Sequence, residues 1–255
     1  MSRTDLNSTT RFSDRVEDYV KYRPHYPVAV IAYLQETYSF SPLWEVADIG
    51  SGTGISTELF LDFGSRVYAV EPNAEMRSKA EELLAGHTGF MSVDGTAEVT
   101  GLPDSSVDLI VAGQAFHWFE PAATRREFVR IARPGAVVAL IWNERLMLSD
   151  FEREYEELIL EYAGDYKTIN HKNITDTQIG AFFHPQAFVL AVFDNEQVFD
   201  FGGLKGRLLS SSYIPKEGAG HDAMMKALAA LFERHQTGGR VRVGYETKLY
   251  TGVIR

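Results

Sequence analysis

The sequence has no cysteine among its 255 residues. Disulfide bonds, thiolate metal ligands and cysteine nucleophiles are therefore excluded. Positive charge is also scarce, because 25 Lys and Arg stand against 35 Asp and Glu, which gives a formal net charge of −10. This balance argues against general nucleic-acid binding, which needs a basic face to neutralise phosphates. It leaves room for a small local basic pocket.

Long apolar runs are missing as well. No stretch approaches the roughly 20 residues of a membrane span, and the polar segment from Met1 to Arg11 lacks the apolar core of a signal peptide. We therefore expect a soluble, cytoplasmic protein without membrane contacts. The histidines are scattered and no carboxylate cluster accompanies them, so no metal site is predicted. The oligomeric state stays open.

What the sequence does contain is an alternation of strand and helix patterns. Apolar residues at helical spacing predict a helix over residues 12–22, which the prolines at 24 and 27 end. From there to residue 142, apolar strand patterns alternate with helical ones. Strands are predicted at residues 45–49, 66–70, 89–93, 107–112 and 137–142, and helices at 28–38, 55–63, 73–84 and 124–132. This alternation predicts βαβ units and an α/β fold with a parallel sheet.

The second half of the chain has a different pattern. An acidic amphipathic helix is predicted at residues 151–162, and a long final strand at 241–252. Between them lie β segments at 188–193 and 197–201 and helices at 204–212 and 223–235. We expect these pieces to complete the same sheet and to place a helical lid over it.

A glycine-rich loop follows the first predicted strand, in the segment Asp48-Ile49-Gly50-Ser51-Gly52-Thr53-Gly54. Glycines let the chain turn tightly and let a ligand approach the main chain, and the helix that follows offers bare N–H groups. A dinucleotide fingerprint has the spacing G-x-G-x-x-G, but Ile55 stands here where its last glycine is required. The spacing therefore favours a ribose and thioether over a pyrophosphate, although a glycine-rich turn without a ligand is the alternative.

An acidic residue, Glu71, ends the next predicted strand. A carboxylate at that place can accept hydrogen bonds from both ribose hydroxyls of a nucleoside. The alternative is a carboxylate that is solvated or caps the following helix. Together with the loop, Glu71 indicates a nucleoside-like ligand.

These residues resemble the class I S-adenosylmethionine-dependent methyltransferases, and the likeness runs from about residue 12 to residue 143. Five segments carry it in order: Asp48–Gly54, Val70–Asn73, Gly95–Glu98 with Leu102-Pro103, Asp108–Val111 with Gln114–Trp118, and Ala132–Ala136. The chain also resembles the trans-aconitate methyltransferase-like (type 11) branch of this family. That finer likeness lies in residues 12–27, 114–118, 203–207 and 210–213.

The resemblance implies a Rossmann-like, doubly wound, mostly parallel seven-stranded sheet with an antiparallel C-terminal strand. It implies one domain over residues 1–255, in which 1–40 form an N-terminal helical cap, 41–145 the cofactor-binding core, and 146–255 the substrate lid and the rest of the sheet. The implied cofactor is S-adenosyl-L-methionine. The implied reaction is an SN2 methyl transfer to a small molecule, with a carboxylic acid as one candidate, in which alignment matters more than a base.

The resemblance also implies site residues. The cofactor-binding set is Tyr19, Arg23, Gly50, Ser51, Gly52, Thr53, Gly54, Glu71, Pro72, Met76, Thr96, Ala97 and Gln114. Of these, Arg23 would meet the methionine carboxylate, and Thr96 with Ala97 the adenine. The simpler alternatives are an exposed arginine, an ordinary loop and, for Met76, a core methionine.

His117, after the fourth predicted strand, is the implied catalytic residue, because its near-neutral pKa suits it to orient or deprotonate an acceptor. A structural histidine packed beside Trp118 is the alternative. The implied substrate-binding set is His25, Tyr26, Trp118, Arg207, Ser212 and Tyr213. Arg207 would pair with a substrate carboxylate, and its alternative is a solvated helix position.

Three other readings are compatible with the sequence to different degrees. A non-catalytic protein that binds S-adenosylmethionine or S-adenosylhomocysteine and acts through a partner would need the same loop. A dinucleotide-dependent oxidoreductase is opposed by Ile55. An RNA methyltransferase is opposed by the acidic net charge. An RNA or protein methyltransferase that acts on base or amide nitrogens is opposed by Gln114–Phe119, which stands where an Asn-Pro-Pro-Tyr type of motif would be.

Overall fold

A computed structural model describes residues 20–163, 175–211, 213–215 and 217–254. The strands are β1 (Glu45–Ile49), β2 (Arg66–Val70), β3 (Phe90–Val93), β4 (Val107–Gly113), β5 (Ala132–Arg145), β6 (Val189–Phe199) and β7 (Val241–Val253). The helices are α1 (Ala29–Tyr38), α2 (Ile55–Asp62), α3 (Ala74–Leu83), α4 (Pro121–Ile131), α5 (Asp150–Tyr162), α6 (Asp176–Phe183), α7 (Phe201–Leu209) and α8 (Ala219–His235). A 3-10 turn spans Phe116–Trp118. Most of the helix predicted over residues 12–22 lies outside the described residues.

The seven strands form one sheet in the order β3-β2-β1-β4-β5-β7-β6. The strands from β1 to β5 pair in parallel, and β7 runs antiparallel to both of its neighbours. The predicted fold class is thereby confirmed. The strand order reverses between β1 and β4, and in open α/β sheets ligands bind outside the carboxyl ends of the strands at such a point.

Both faces of the sheet are covered, which explains why its central strands are nearly continuous apolar runs. One face packs against α1 and α2, with Leu34 and Phe60 fully buried there. The opposite face packs against α4 and α6, with Phe128 and Phe183 fully buried. These layers fix the carboxyl ends of β1, β2 and β4 relative to one another.

A third apolar cluster joins helices of the second half of the chain, and we call this part of the molecule the lid. Helices α5, α7 and α8 bury Tyr155, Leu204 and Leu228 against the part of the β6–β7 pair that includes Tyr245. Tyr245 pairs with Arg145, the last residue of β5. The lid therefore stands beside the carboxyl end of β5.

Some element boundaries differ from the predictions. The two predicted β segments are one strand, β6, because it pairs with β7 without interruption from Val189 to Phe199. Helix α4 begins at Pro121, since the Glu120 side chain accepts hydrogen bonds from the N–H groups of residues 122 and 123. Helix α6 was not predicted. No helix of the described part of the chain is long and apolar enough to cross a membrane.

Candidate active site

The glycine loop lies at the carboxyl ends of β1 and β2. The N–H groups of Gly50 and Ser51 donate to the Val70 carbonyl oxygen at 2.9 and 3.2 Å. Gly50 and Gly52 have φ angles of 69° and 58°, in the left-handed region that favours glycine. A Cβ on Gly50 would stand 2.7 Å from the Ala115 Cβ, so the loop lies directly against the chain that follows β4.

Glu71 closes onto this loop from the end of β2. Its Oε2 accepts from the Gly52 N–H at 2.9 Å, and its Oε1 accepts from the Asn73 N–H at 2.8 Å. Burial raises the pKa of the Glu71 carboxyl, and the two N–H donors oppose that shift. Each carboxylate oxygen has more than one lone pair, so the side chain could still accept from a diol. Asn73, not Glu71, caps helix α3 with its side chain.

Asp48 is fully buried beneath the loop and was not singled out as a site residue from the sequence. Its Oδ2 accepts from the hydroxyls of Ser56 and Thr57 at 2.7 and 2.6 Å. Burial raises its pKa to about 6, although those hydrogen bonds lower it. Its Oδ1 has no hydrogen-bond partner among the described residues, and the same is true of two buried hydroxyls in the loop. These hydroxyls belong to Ser51 and Thr53.

Three buried oxygens without partners beside a glycine turn are unusual, since buried polar groups are nearly always hydrogen-bonded. They therefore fit a polar ligand that lies on the loop. The sequence pattern did contain a signal for Asp48, because an acidic residue at the end of a buried strand is itself uncommon.

The predicted adenine side is formed by the segment after β3. Ala97 is buried and Thr96 is exposed, with the Thr96 N–H donating to the Val99 carbonyl oxygen at 3.0 Å. Met76 is buried, and its sulfur would lie 3.8 Å from a Cβ on Gly52. Met76 thus contacts the loop while it also packs in α3, which is compatible with both of its predicted roles. Pro72 is half-buried between Glu71 and the start of α3.

The chain after β4 forms the opposite wall. Gln114 has a φ angle of 54°, which is uncommon for a residue other than glycine and often marks a functional site. Its N–H donates to the Ile141 carbonyl oxygen at 2.8 Å, and its Nε2 donates to the Asn143 carbonyl oxygen at 3.0 Å. His117 is half-buried in the 3-10 turn, with its ring centroid 4.9 Å from that of Trp118.

The N-terminal residues of the predicted site take different positions. Arg23 is half-buried, and its Nη2 donates to the Ser210 carbonyl oxygen at 3.1 Å. His25 is exposed, with its Nδ1 3.3 Å from Glu58 Oε2. Tyr26 is buried, and its hydroxyl would lie 2.8 Å from a Cβ on Gly113. The structure therefore places Tyr26 against the end of β4.

Arg207 is buried inside the lid, with 8% of its surface exposed. Its Nε donates to the Tyr245 hydroxyl at 3.2 Å, and its Nη1 donates to the Ser211 hydroxyl at 3.3 Å. No carboxylate of the described chain pairs with it, whereas Arg145 nearby pairs with Glu156. Burial also raises the pKa of Tyr155, which interacts with Arg207, to about 12. A tyrosine of this pKa stays neutral at neutral pH and does not balance the charge.

The remaining predicted site residues are partly buried or lie outside the described residues. Trp118 and Tyr213 are half-buried, the latter against the lid cluster. Tyr19 and Ser212 lie outside the described residues. Among the residues that the structure describes, no group of three or more His, Cys, Asp or Glu side chains could hold a metal ion.

Several known proteins are similar to this chain in sequence. A family model described as "Methyltransferase domain" matches residues 47–140, which run from β1 to β5. An uncharacterized methyltransferase of Mycobacterium tuberculosis is 35% identical over 158 residues, which are 62% of this chain and 61% of the relative. One from Schizosaccharomyces pombe is 30% identical over 52% of this chain and 53% of the relative. The chain thus matches about three fifths or less of the length of these curated relatives.

Solved structures match over nearly the whole fold. A type II methyltransferase from Anaeromyxobacter dehalogenans has a TM-score of 0.69 at 25% identity, and the match covers 91% of this chain and 98% of that one. A protein from Anabaena variabilis, described as a methyltransferase from an antibiotic biosynthesis pathway, has a TM-score of 0.61 at 19% identity, with 92% and 99% covered. The second likeness concerns the fold alone.

Proposed function

We propose a reaction for a chain that belongs, by its methyltransferase domain and by its fold, to the class I S-adenosylmethionine-dependent methyltransferases. The proposed reaction is the transfer of the cofactor's methyl group to a small-molecule carboxylic acid. The observation that carries the choice of acceptor is Arg207, a buried cation in the lid without a carboxylate partner in the described chain.

The cofactor side of the proposal uses the residues around the glycine loop. The loop main chain at Gly50 and the strained turn at Gln114 would hold the methionine part, with Arg23 on its carboxylate. Glu71 would accept from the ribose hydroxyls, and Ala97 would lie against the adenine. The oxygens of Asp48, Ser51 and Thr53 support this assignment, because they offer hydrogen-bonding capacity that the described part of the chain leaves unused.

Bound S-adenosylmethionine would supply an electrophilic methyl group, which a carboxylate oxygen takes as the carbon–sulfur bond breaks, leaving a methyl ester and S-adenosylhomocysteine. A carboxylate is already ionised at neutral pH, so this reaction needs no general base. We therefore assign His117 an orienting role beside Trp118. The protein's main contribution is alignment, which in well-oriented systems supplies roughly 7–11 kcal/mol.

The acceptor side of the proposal rests on the cost of burying a charge. A guanidinium removed from water without an opposite charge is strongly unfavourable, and within the described residues Arg207 donates its side-chain hydrogen bonds only to hydroxyl groups. A planar carboxylate matches two N–H groups of a guanidinium at once. Tyr213 and Tyr245 would line the same place in the lid. A bound carboxylate would remove the cost that the unliganded lid carries.

A substrate screen tests this function. Small carboxylic acids, amines and phenols are incubated with a methyl-labelled donor, and methylated products are separated and counted. We expect label in methyl esters, and we expect Arg207→Met to abolish it while Arg242→Met, at an exposed ion pair with Glu196, keeps it. Label confined to amines or phenols would overturn the carboxylic acid. Tight cofactor binding without turnover on any acceptor would instead support the non-catalytic binding protein.

A further inference from the structure

We infer that Asn143 is a positioning residue that fastens the N-terminal segment of residues 22–26 to the cofactor edge of the sheet. Asn143 lies near the end of β5 with 4% of its surface exposed. It belongs to none of the sequence motifs that indicated the site. The inference rests on the cofactor part of the proposed function and is independent of the acceptor.

The first observation is the number of elements that one side chain joins. Asn143 Nδ2 donates to the carbonyl oxygens of Pro24 and His25, each at 3.3 Å. Its Oδ1 accepts from the Thr247 hydroxyl at 2.5 Å and from Asn195 Nδ2 at 3.2 Å. The side chain therefore connects β5, β6 and β7 with the N-terminal segment.

The second observation is that side-chain amides repeat along this segment. Asn195 Nδ2 also donates to the His25 carbonyl oxygen at 2.7 Å, and Gln197 Nε2 donates to the Tyr22 carbonyl oxygen at 3.1 Å. Three carboxamides thus hold carbonyl oxygens of a segment in which Pro24 has no N–H to offer. Buried carbonyl groups need such donors, so these amides explain how the segment crosses the sheet edge.

The third observation links Asn143 to the cofactor edge. Its own carbonyl oxygen accepts from Gln114 Nε2 at 3.0 Å. Gln114 holds a left-handed backbone conformation, and such a conformation persists only where its surroundings constrain it. One residue therefore supports both the strained wall after β4 and the segment that carries Arg23. Loss of its Nδ2 donors would release the segment while the sheet keeps its pairing.

The variant that tests this is Asn143→Asp, which keeps the shape but replaces the N–H donors with an oxygen that faces two carbonyl oxygens. We expect hydrogen exchange to accelerate in residues 22–26 but not in β1, β2 or β3, and we expect the Gln114 turn to be kept because it bonds to the main-chain carbonyl oxygen of Asn143. We expect the Kd for S-adenosylhomocysteine to rise roughly tenfold, since a buried hydrogen-bonding group loses its partner. Neither measurement uses an acceptor, so the result does not depend on the substrate.

Two further variants separate positioning from a merely structural role. Thr247→Val removes one donor to Asn143 Oδ1 and keeps the contacts with Pro24 and His25, so it should leave both measurements near those of the unaltered protein. Asn195→Asp removes the hydrogen bond from β6 to the His25 carbonyl oxygen and should reproduce the effect of Asn143→Asp. It therefore tests the inference even where Asn143→Asp does not fold. Equal acceleration of exchange throughout the sheet, or an unchanged Kd in both aspartate variants, would overturn the inference.

Discussion

The two halves of this molecule present their functional groups in different ways. In the half from β1 to β4, the groups of the proposed site stand within a few residues of strand ends, and the proposed cofactor contacts involve main-chain turns such as Gly50 to Gly54. In the lid half, Arg207 and Tyr155 come from separate helices and meet Tyr245 of a distant strand. The groups of the first half are therefore set by local turns of the main chain, while those of the second half depend on how separate elements pack.

Within the half from β1 to β4, the largest effect is expected at Gly50, where the proposed cofactor site depends on backbone geometry. Gly50→Ala should destabilise the protein by about 2–3 kcal/mol and abolish cofactor binding, because its Cβ would stand 2.7 Å from that of Ala115 at a φ of 69°. Gly101→Ala is the matched control, since its φ is 76° but its Cβ would meet nothing within 4 Å. For each variant, chemical denaturation measures the stability and titration calorimetry measures cofactor binding. Equal losses in the two variants would mean that only the φ angle matters.

The buried charge beneath the loop should produce a pH effect of similar size. The pKa of Asp48 is raised to about 6 in the folded state, above its value in the unfolded chain, so the folded state binds more protons between the two values. Stability should therefore fall as the pH rises from about 4 to about 6, by on the order of 3 kcal/mol. Asp48→Asn should flatten this part of the profile of unfolding free energy, whereas Asp222→Asn, at an exposed site, should not. A stability that rises over this range through Asp48 contradicts the assignment.

Glu71 tests the cofactor half through a side chain and not through the backbone geometry of a glycine. Glu71→Ala should weaken S-adenosylhomocysteine binding by about 1–3 kcal/mol, because the proposed ribose acceptor is lost along with the partner of the Gly52 N–H. Glu75→Ala, an exposed carboxylate in the first turn of α3, serves as the control. Titration calorimetry gives both affinities. An unchanged Kd for Glu71→Ala would remove the ribose assignment.

Substitution of Arg207 should change the stability in the opposite direction to substitution of Gly50, which distinguishes the two halves. Because an unpaired buried charge costs free energy, Arg207→Met should leave the unliganded protein as stable as before or more stable, by up to about 2 kcal/mol. The proposed acceptor site would be lost at the same time. Arg242→Met is again the control. Thermal unfolding measures whether Arg207→Met raises or lowers the stability of the unliganded protein. A clear loss of stability would indicate that Arg207 has a structural role.

The smallest effect is expected at the lid surface. Arg234 of α8 pairs with Glu154 of α5, and the two side chains are 57% and 38% exposed. Arg234→Ala should cost no more than about 0.5 kcal/mol, since exposed ion pairs contribute little. Leu228→Ala, in the buried lid cluster, should cost about 2–5 kcal/mol. Comparable losses from the two changes would show that ion pairs, not apolar burial, hold the lid together.

The cofactor half could be predicted from the sequence because its signals are local. The strand before Gly50, the glycine spacing and Glu71 lie within 27 residues, and each has a pattern that physical rules connect with a parallel sheet and a nucleoside. The predicted strands from 45–49 to 137–142 all correspond to observed strands. The role of Asp48 was missed because a pattern of residues does not reveal that one carboxylate oxygen lacks a partner.

The fold class, the place of the glycine loop and the likeness to methyltransferases can be read from the sequence, since strand alternation and turn residues act over short distances along the chain. Three features emerge only from the folded chain: β6 is one strand, Arg207 is buried without a carboxylate partner in the described chain, and Asn143 joins residues 24, 25, 195 and 247. Contacts between residues that lie from 38 to 119 positions apart depend on how whole layers pack. No local pattern records them.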